Sequence, residues 1–207
     1  MSNSDYYLTN ESKQVRSQVR VEKILDAVED LMVQTPSKKI DVQSIAKKAF
    51  VSVGAIYHHF PSVDSIFASL LIRKVRRRLN SLITLLEGLG PEVTLDMAAD
   101  NMIDQTFAEW NQKPIAAKKE TLSLYYQNAS KPEFFSSYSK VLYPYVRAFI
   151  QRNTSGTIRD ISEEEWPFLN RTSLTAIITP FLEENPIAGT QAHKTIVKDI
   201  VLRIYSK

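Results

Sequence analysis

The chain has 207 residues, 43% of them hydrophobic and 24% charged, which suits one large domain or two small ones and excludes disorder throughout. It has no Cys and only 3 His, which excludes disulfides, a thiolate nucleophile and Cys-ligated zinc or iron–sulfur centres. The 5 Gly argue against all-β and Gly-rich phosphate-loop architectures, and the net charge of +3 is unevenly spread.

Residues 1–90 hold 13 Lys/Arg against 9 Asp/Glu, whereas residues 91–207 hold 13 against 14. A basic first half on a near-neutral second half suits a phosphate-rich partner, because Lys and Arg release condensed counterions on binding. An ordinary solvated surface gives the same distribution. The N-terminus lacks the apolar core of a signal peptide, and no apolar run reaches the roughly 18 residues that span a bilayer. These features predict a protein of the reducing cytoplasm, with no membrane partner.

In chain order, residues 1–13 read as a polar, frayed arm. From Gln14 a helical stripe begins: Val21, Ile24, Leu25, Val28, Leu31 and Met32 recur at spacings of three and four. Thr35-Pro36-Ser37 ends it. Asp41 caps a short second helix carrying Val42, Ile45, Ala46 and Ala49, and Ser52 caps a third that runs to about Phe60. Ser62 caps a long fourth helix, striped by Ile66, Leu70, Leu79, Leu82 and Leu86 and stopped near Gly88 and Gly90-Pro91. Its polar face carries Arg73, Lys74, Arg76, Arg77 and Arg78, read as a solvated face. Five further helices are predicted over 94–110, 114–128, 132–153, 162–184 and 190–205, with Pro180 bending or ending the fourth of them. The fold class is all-α, with about nine helices, divided into residues 14–62 and 63–207.

Residues 41–60 carry the functional signal. Two short helices joined by a turn of three or four residues make a helix-turn-helix, whose second helix enters the DNA major groove. Any helical bundle can also hold such a hairpin. Ala46 and Gly54 are small, as suits a close approach of two helices. His58 and His59 are neighbours about 100° apart on a helix, so they do not chelate one ion together.

The run Ile45-Ala46-(three residues)-Phe50-Val51-Ser52-Val53-Gly54-Ala55-Ile56-Tyr57-His58-His59-Phe60 resembles the signature of the tetracycline-repressor (TetR/AcrR) family of bacterial transcription regulators. Ile24-Leu25-Asp26-Ala27 and Asp64-Ser65-Ile66 fit as well, so the resemblance covers about residues 20–72. It implies a homodimer with an N-terminal three-helix DNA-binding domain and a helical body that binds a small effector. By position it implies base or nearby backbone contacts for Ser52, Val53, Gly54 and His58, and phosphate contacts for Tyr57 and His59. It also implies a groove-reaching side chain at Gln43. Elementary chemistry agrees in part. Gly lets a backbone approach DNA closely, phenol and imidazole donate to phosphate, and Gln suits bidentate adenine recognition.

Three positions depart from the family pattern. Phe50 stands where Gly is usual, so either the turn differs or Phe accepts a positive φ. Val63 stands where a phosphate-anchoring Lys is usual. Asp41 replaces a common Thr and would repel a nearby phosphate.

The second half is rich in aromatics. With the resemblance, Phe107, Trp110, Tyr125, Tyr126 and Tyr145 are the candidates for an effector pocket between the fourth and eighth helices. Trp110 is then expected to sense the ligand more than Trp166. Asp100 and Asp104, one turn apart, read as exposed surface. Stripes of Ala192, Ile196, Val197, Ile200, Val201 and Ile204, and of Phe168, Leu169, Thr172, Ala176 and Ile177, predict a dimer interface over about 162–205. No catalytic constellation or metal cluster stands out. The sequence thus predicts a ligand-responsive, dimeric, non-enzymatic repressor with no cofactor, released from a palindromic duplex DNA operator by a hydrophobic or aromatic effector. The alternative is a helical small-molecule-binding protein with weak or lost DNA binding.

Overall fold

The structure, a computed structural model, describes residues 3–111, 115–128 and 132–207, with side chains from Val15 onward except those of 109, 115–116, 128 and 132–138. Among the described residues there are nine α-helices and no strand beyond an isolated bridge between Ile158 and Ser206. The helices are α1 (Asn3–Leu31), α2 (Val42–Ala49), α3 (Val53–His59), α4 (Val63–Gly88) and α5 (Leu95–Asn111). They continue with α6 (Ile115–Asn128), α7 (Pro132–Arg152), α8 (Trp166–Leu182) and α9 (Gln191–Tyr205). A 3-10 turn at Ser37–Lys39 links α1 to α2.

The chain forms two compact units, one ending at Ile72 and one running from Arg73 to Lys207. The division falls inside α4 because its first turns carry Ile66, Phe67, Leu70 and Leu71, all buried.

In the first unit α1 packs on α2 and α2 on α3. The buried side chains are those of the apolar stripe: Ile24, Leu25, Val28 and Met32 from α1, Ile45 and Ala46 from α2, and Ile56 from α3. α1 starts at Asn3, not at Gln14. Residues 3–13 contain neither Pro nor Gly, so nothing in them stops a helix, although no apolar stripe announces one.

In the second unit α5 packs on α9, and α8 packs on α6, α7 and α9. Lys198 bridges Asp96 and Asp100 at 2.9 Å each and Lys194 meets Asp104 at 2.6 Å, an exposed ladder between α5 and α9. His193 is buried, and its Nδ1 accepts the Gly189 amide proton at 3.1 Å. Its Nε2 is therefore the donor to the Ala176 carbonyl at 2.9 Å. Phe107 lies edge-on to this imidazole at 4.8 Å.

Two prolines sit inside helices. Pro180 lies within α8, which runs on to Leu182, and Pro144 lies within α7. The polar face of α4 is split: Arg76 and Arg77 are exposed, Lys74 and Arg78 are half-buried, and Arg73 is buried.

Candidate nucleic-acid interface and ligand cavity

Local chemistry fixes the α2–α3 hairpin. The Asp41 carboxylate accepts the Ser44 amide proton at 2.8 Å, which caps α2 and holds the Asp41 pKa below its ordinary value. At the other end, the Val51 amide donates to Ala46 O at 3.1 Å and the Phe50 amide to Lys47 O at 3.4 Å. These two bonds form a Schellman-type close, which requires a left-handed residue between them. That residue is Phe50, at φ 55 and ψ 45. Phe50 thus accepts the conformation that glycine suits, and its ring is 95% exposed.

The Ser52 hydroxyl oxygen accepts the Ala55 amide proton at 3.1 Å and starts α3. The cap uses a lone pair, so the hydroxyl proton stays available to a phosphate. Ser62 and Ser65 exchange amide-to-hydroxyl bonds at 3.1 and 3.2 Å, which fixes the start of α4 beside the half-buried Val63.

The outer face of the hairpin collects most of the predicted residues. Gln43, Ser52, Gly54 and His58 are exposed, Tyr57 is 51% exposed, and Val53 is half-buried. A Cβ added to Gly54 would meet nothing within 4 Å. The expectation of a close helix approach therefore holds for the buried Ala46 and not for Gly54. The fold itself does not need a glycine there, whereas a partner pressed against the start of α3 does.

His59 differs from its neighbours. It is half-buried, with Nε2 sealed from solvent and without a hydrogen-bond partner. Burial, followed by the positive charges of His58 and Arg20, holds its pKa below the ordinary value. The imidazole is neutral at neutral pH and offers no full charge to phosphate.

The second unit contains a cavity of about 130 Å³. Arg78, Leu82 and Leu86 from α4 and Leu95, Met102 and Thr106 from α5 form one side. Leu142, Val146 and Phe149 from α7 face them, together with Trp166, Asn170 and Ser173 from α8 and Tyr205 from α9. The wall is mainly aliphatic. Its hydrogen-bonding groups include Arg78, which donates to Thr106, Ser173, which donates to the Tyr205 hydroxyl oxygen at 3.3 Å, and Asn170. Burial pushes the Tyr205 phenol up to about 12.

The five aromatics singled out in the sequence are not among the residues lining this cavity. Phe107 is fully buried in a neighbouring cluster with Phe181, Ile103 and Val197, and Trp110 stacks on Phe181 at 5.5 Å. Tyr125 packs against that same cluster, and the exposed Tyr126 reaches Thr179 at 3.4 Å. Tyr145 is half-buried against the cluster of Leu142 and Phe149. Phe134, Phe135 and Tyr138, other aromatics of this half, lie outside the described side chains. The cavity wall was hidden in the sequence because aliphatic residues at helical spacing look the same around a void as in a packed core.

The predicted interface stripes also divide. Val197 and Ile177 point into the core, whereas Phe168 is 75% and Ile196 50% exposed, with Thr172 and Ala192 exposed as well. Among the described residues no helix is long and apolar enough to cross a membrane.

Comparison with known proteins fits this geometry. Residues 24–70 match the family model described as bacterial regulatory proteins, tetR family. A TetR-family transcriptional regulator from Streptomyces coelicolor is 19% identical, with a TM-score of 0.67 over 91% of this chain and 96% of its own. One from Haemophilus influenzae is 17% identical, with a TM-score of 0.60 over 92% and 98%. A protein from Saccharomonospora viridis, solved in complex with choline, is 15% identical, with a TM-score of 0.63 over 92% and 99%. Comparison with curated protein sequences gives no match. Residues 24–70 thus match the N-terminal module of the tetR family, and the whole chain has the fold of these solved regulators.

Proposed function

We propose that the protein is a cytoplasmic, homodimeric transcriptional repressor that binds a palindromic operator through α3 and releases it when a small ligand fills the cavity of the second unit. The observation that carries the DNA-binding part is the face of the hairpin. Gln43, Ser52, Gly54, Tyr57 and His58 are exposed together, and Gly54 has no intramolecular reason to lack a Cβ. Tyr57 and the free Ser52 proton then meet phosphates, Gln43 reads a base edge, and Val53 and Gly54 let the helix sit close. His59 supports the face from behind as a neutral group.

The exposed residues of α8 and α9, Phe168, Thr172, Ala192 and Ile196, are the proposed dimer face. α4 supplies the proposed link, because this one helix begins beside the hairpin in sequence and carries Arg78, Leu82 and Leu86 at the cavity. A ligand that alters the seating of those three side chains acts on the helix that leads out of the DNA-binding module. The choline-bound neighbour supports the reading that a body of this fold takes small molecules.

Sequence-selection binding with the purified protein tests the assignment. A selected palindrome should be bound far more tightly than random duplex, with a steep loss of affinity in added salt. Equal affinity for both would favour the second reading, a ligand-binding protein with weak DNA binding. That reading draws on Val63, which replaces a cation at the start of α4, and on the carboxylate of Asp41.

A further inference from the structure

The fold gives Phe50 no reason to be phenylalanine. It closes α2 at φ 55 and ψ 45, a left-handed conformation that crowds the Cβ of any residue but glycine. Its ring is 95% exposed, so it adds almost nothing to the core of the first unit, whereas its chain neighbours Ala49 and Val51 are buried and half-buried. Exposure alone would be ordinary. Exposure and a left-handed backbone at the same bulky residue are two disfavoured features that the folded chain does not offset, and such residues gather where a partner is met.

Phe50 lies beside the face that α2 and α3 present. Counting back along α2, Lys47 and Gln43 precede it at intervals of three and four, so the three Cα atoms follow one flank of that helix, and all three residues are exposed. Counting forward, Ser52 is two residues on, which keeps their Cα atoms within about 7 Å. The ring extends over most of that distance from its own Cα. Whatever rests against Ser52 and the open start of α3 at Gly54 is therefore within reach of the ring. Lys47 adds a cation to the same flank, as a phosphate-lined partner requires.

The chemistry of the side chain selects what it meets there. A phenyl ring has no donor and no hydroxyl, so it bonds neither to phosphate nor to the polar edge of a base. The apolar group that a base edge exposes in the major groove is the C5 methyl of thymine. We propose that Phe50 is a specificity-determining residue that packs on a thymine methyl in each half-site of the operator. This rests on the reading of the hairpin as a DNA-binding face, and it adds an apolar contact made from the turn before α3. The conformation accepted at φ 55 is then offset in the complex, where the ring leaves water.

The test uses the unaltered protein and its selected palindrome, with symmetric pairs of thymines replaced by deoxyuridine one pair at a time. This removes the methyl and keeps every hydrogen-bonding atom of the base. Replacement of one such pair should weaken binding about fourfold per half-site, the effect of one buried methyl group. Phe50→Gly should bind the intact palindrome more weakly, lose the effect of that pair, keep the effects of any other pair and be no less stable in urea. Phe50→Leu, which keeps an apolar side chain, should retain part of the methyl preference. A Phe50→Gly protein that binds the intact palindrome as tightly as the unaltered protein, or loses the same factor at every deoxyuridine pair, would overturn the proposal and leave the DNA-binding face as described. So would a palindrome indifferent to all its thymine methyls, a result that needs no variant at all. Failure to select any palindrome would overturn both the proposal and the reading on which it rests.

Discussion

The indole N–H of Trp166 donates to the backbone carbonyl of Ser139 at 3.0 Å, so the first residue of α8 is pinned to α7 while it lines the cavity. Trp110, in contrast, does not line the cavity; it stacks on Phe181 at 5.5 Å in a cluster that shares Ala99, Ile103 and Ile177 with the cavity wall. Filling the cavity should change the surroundings of Trp166 more than those of Trp110, whereas the sequence led to the opposite expectation. Ligand titration of Trp166→Phe should therefore lose the fluorescence response, and Trp110→Phe should keep it.

Two neighbouring substitutions in the hairpin should separate stability from binding. Phe50→Gly relieves a left-handed residue of its Cβ and should stabilise the first unit by about 1 kcal/mol in thermal or urea unfolding. Gly54→Ala meets open space inside the protein and should stabilise α3 by up to about 1 kcal/mol. The same methyl would stand against DNA, so operator affinity should fall. A Gly54→Ala variant that binds its operator as tightly as the unaltered protein would remove the close approach from the account.

Val63 lies between Ser62 and Asp64 at the first turn of α4, where Ser62 and Ser65 cap each other. A lysine there would add a cation to a helix N-terminus already suited to phosphate. Val63→Lys should raise affinity for both selected and random duplexes and steepen the log–log salt slope by about one. An unchanged slope would mean that this side chain does not approach the backbone of DNA.

The exposed Phe168 and Ile196 are the sensitive points of the proposed dimer face. Either residue changed to Asp would bury an uncompensated charge in the interface and should convert the dimer to a monomer in light scattering. Val197→Ala, fully buried in the monomer, should instead lower the stability of the subunit by about 1–3 kcal/mol without selective dissociation.

Tyr205 sets an alkaline limit. Its phenol is raised from 10.0 to about 12 by burial, so the folded protein keeps a proton that the unfolded chain gives up. Stability is unaffected below pH 10 and falls as pH rises from 10 towards 12, by up to about 3 kcal/mol. Urea unfolding at pH 9 and 11 should show this loss, and Tyr205→Phe should flatten it.

Much of the fold was legible because its punctuation is local. Asp41, Ser52 and Ser62 each cap the helix the sequence assigns to them, and the stripe of Ile24, Leu25 and Val28 is buried as its spacing requires. The polar start of α1 was not legible, since an absence of breakers does not announce a helix. The helices read across Pro144 and Pro180 do run on past both, because tertiary packing can hold a helix around a proline that would end it in isolation. Of the candidate DNA face, the outward position of Tyr57 and His58 followed from spacing and that of Gln43 from the resemblance, but the inward seat of His59 Nε2 followed from neither. The cavity was the least legible part: its guanidinium sat in a run of basic residues that reads as solvated, and its wall is made of ordinary leucines.

The guanidinium of Arg152, at the last residue of α7, donates to the carbonyls of Leu86 and of Leu89, the latter at 3.2 Å, and so supplies partners to the end of α4. Next to it, Asn153 reaches Val93 O at 2.7 Å and the Thr154 amide reaches Pro91 O at 2.7 Å. The connection from α4 to α5 is thus stitched to a segment some sixty residues later in the chain. Backbone amides of 152–157 should therefore exchange with deuterium in step with those of 86–95, as one opening unit. Leu86, Leu95 and Ile158, which belong to this seam, also line the cavity. A bound ligand would then slow that shared opening and protect the connection from proteolysis, so that limited digestion followed by mass measurement reports occupancy without any DNA present.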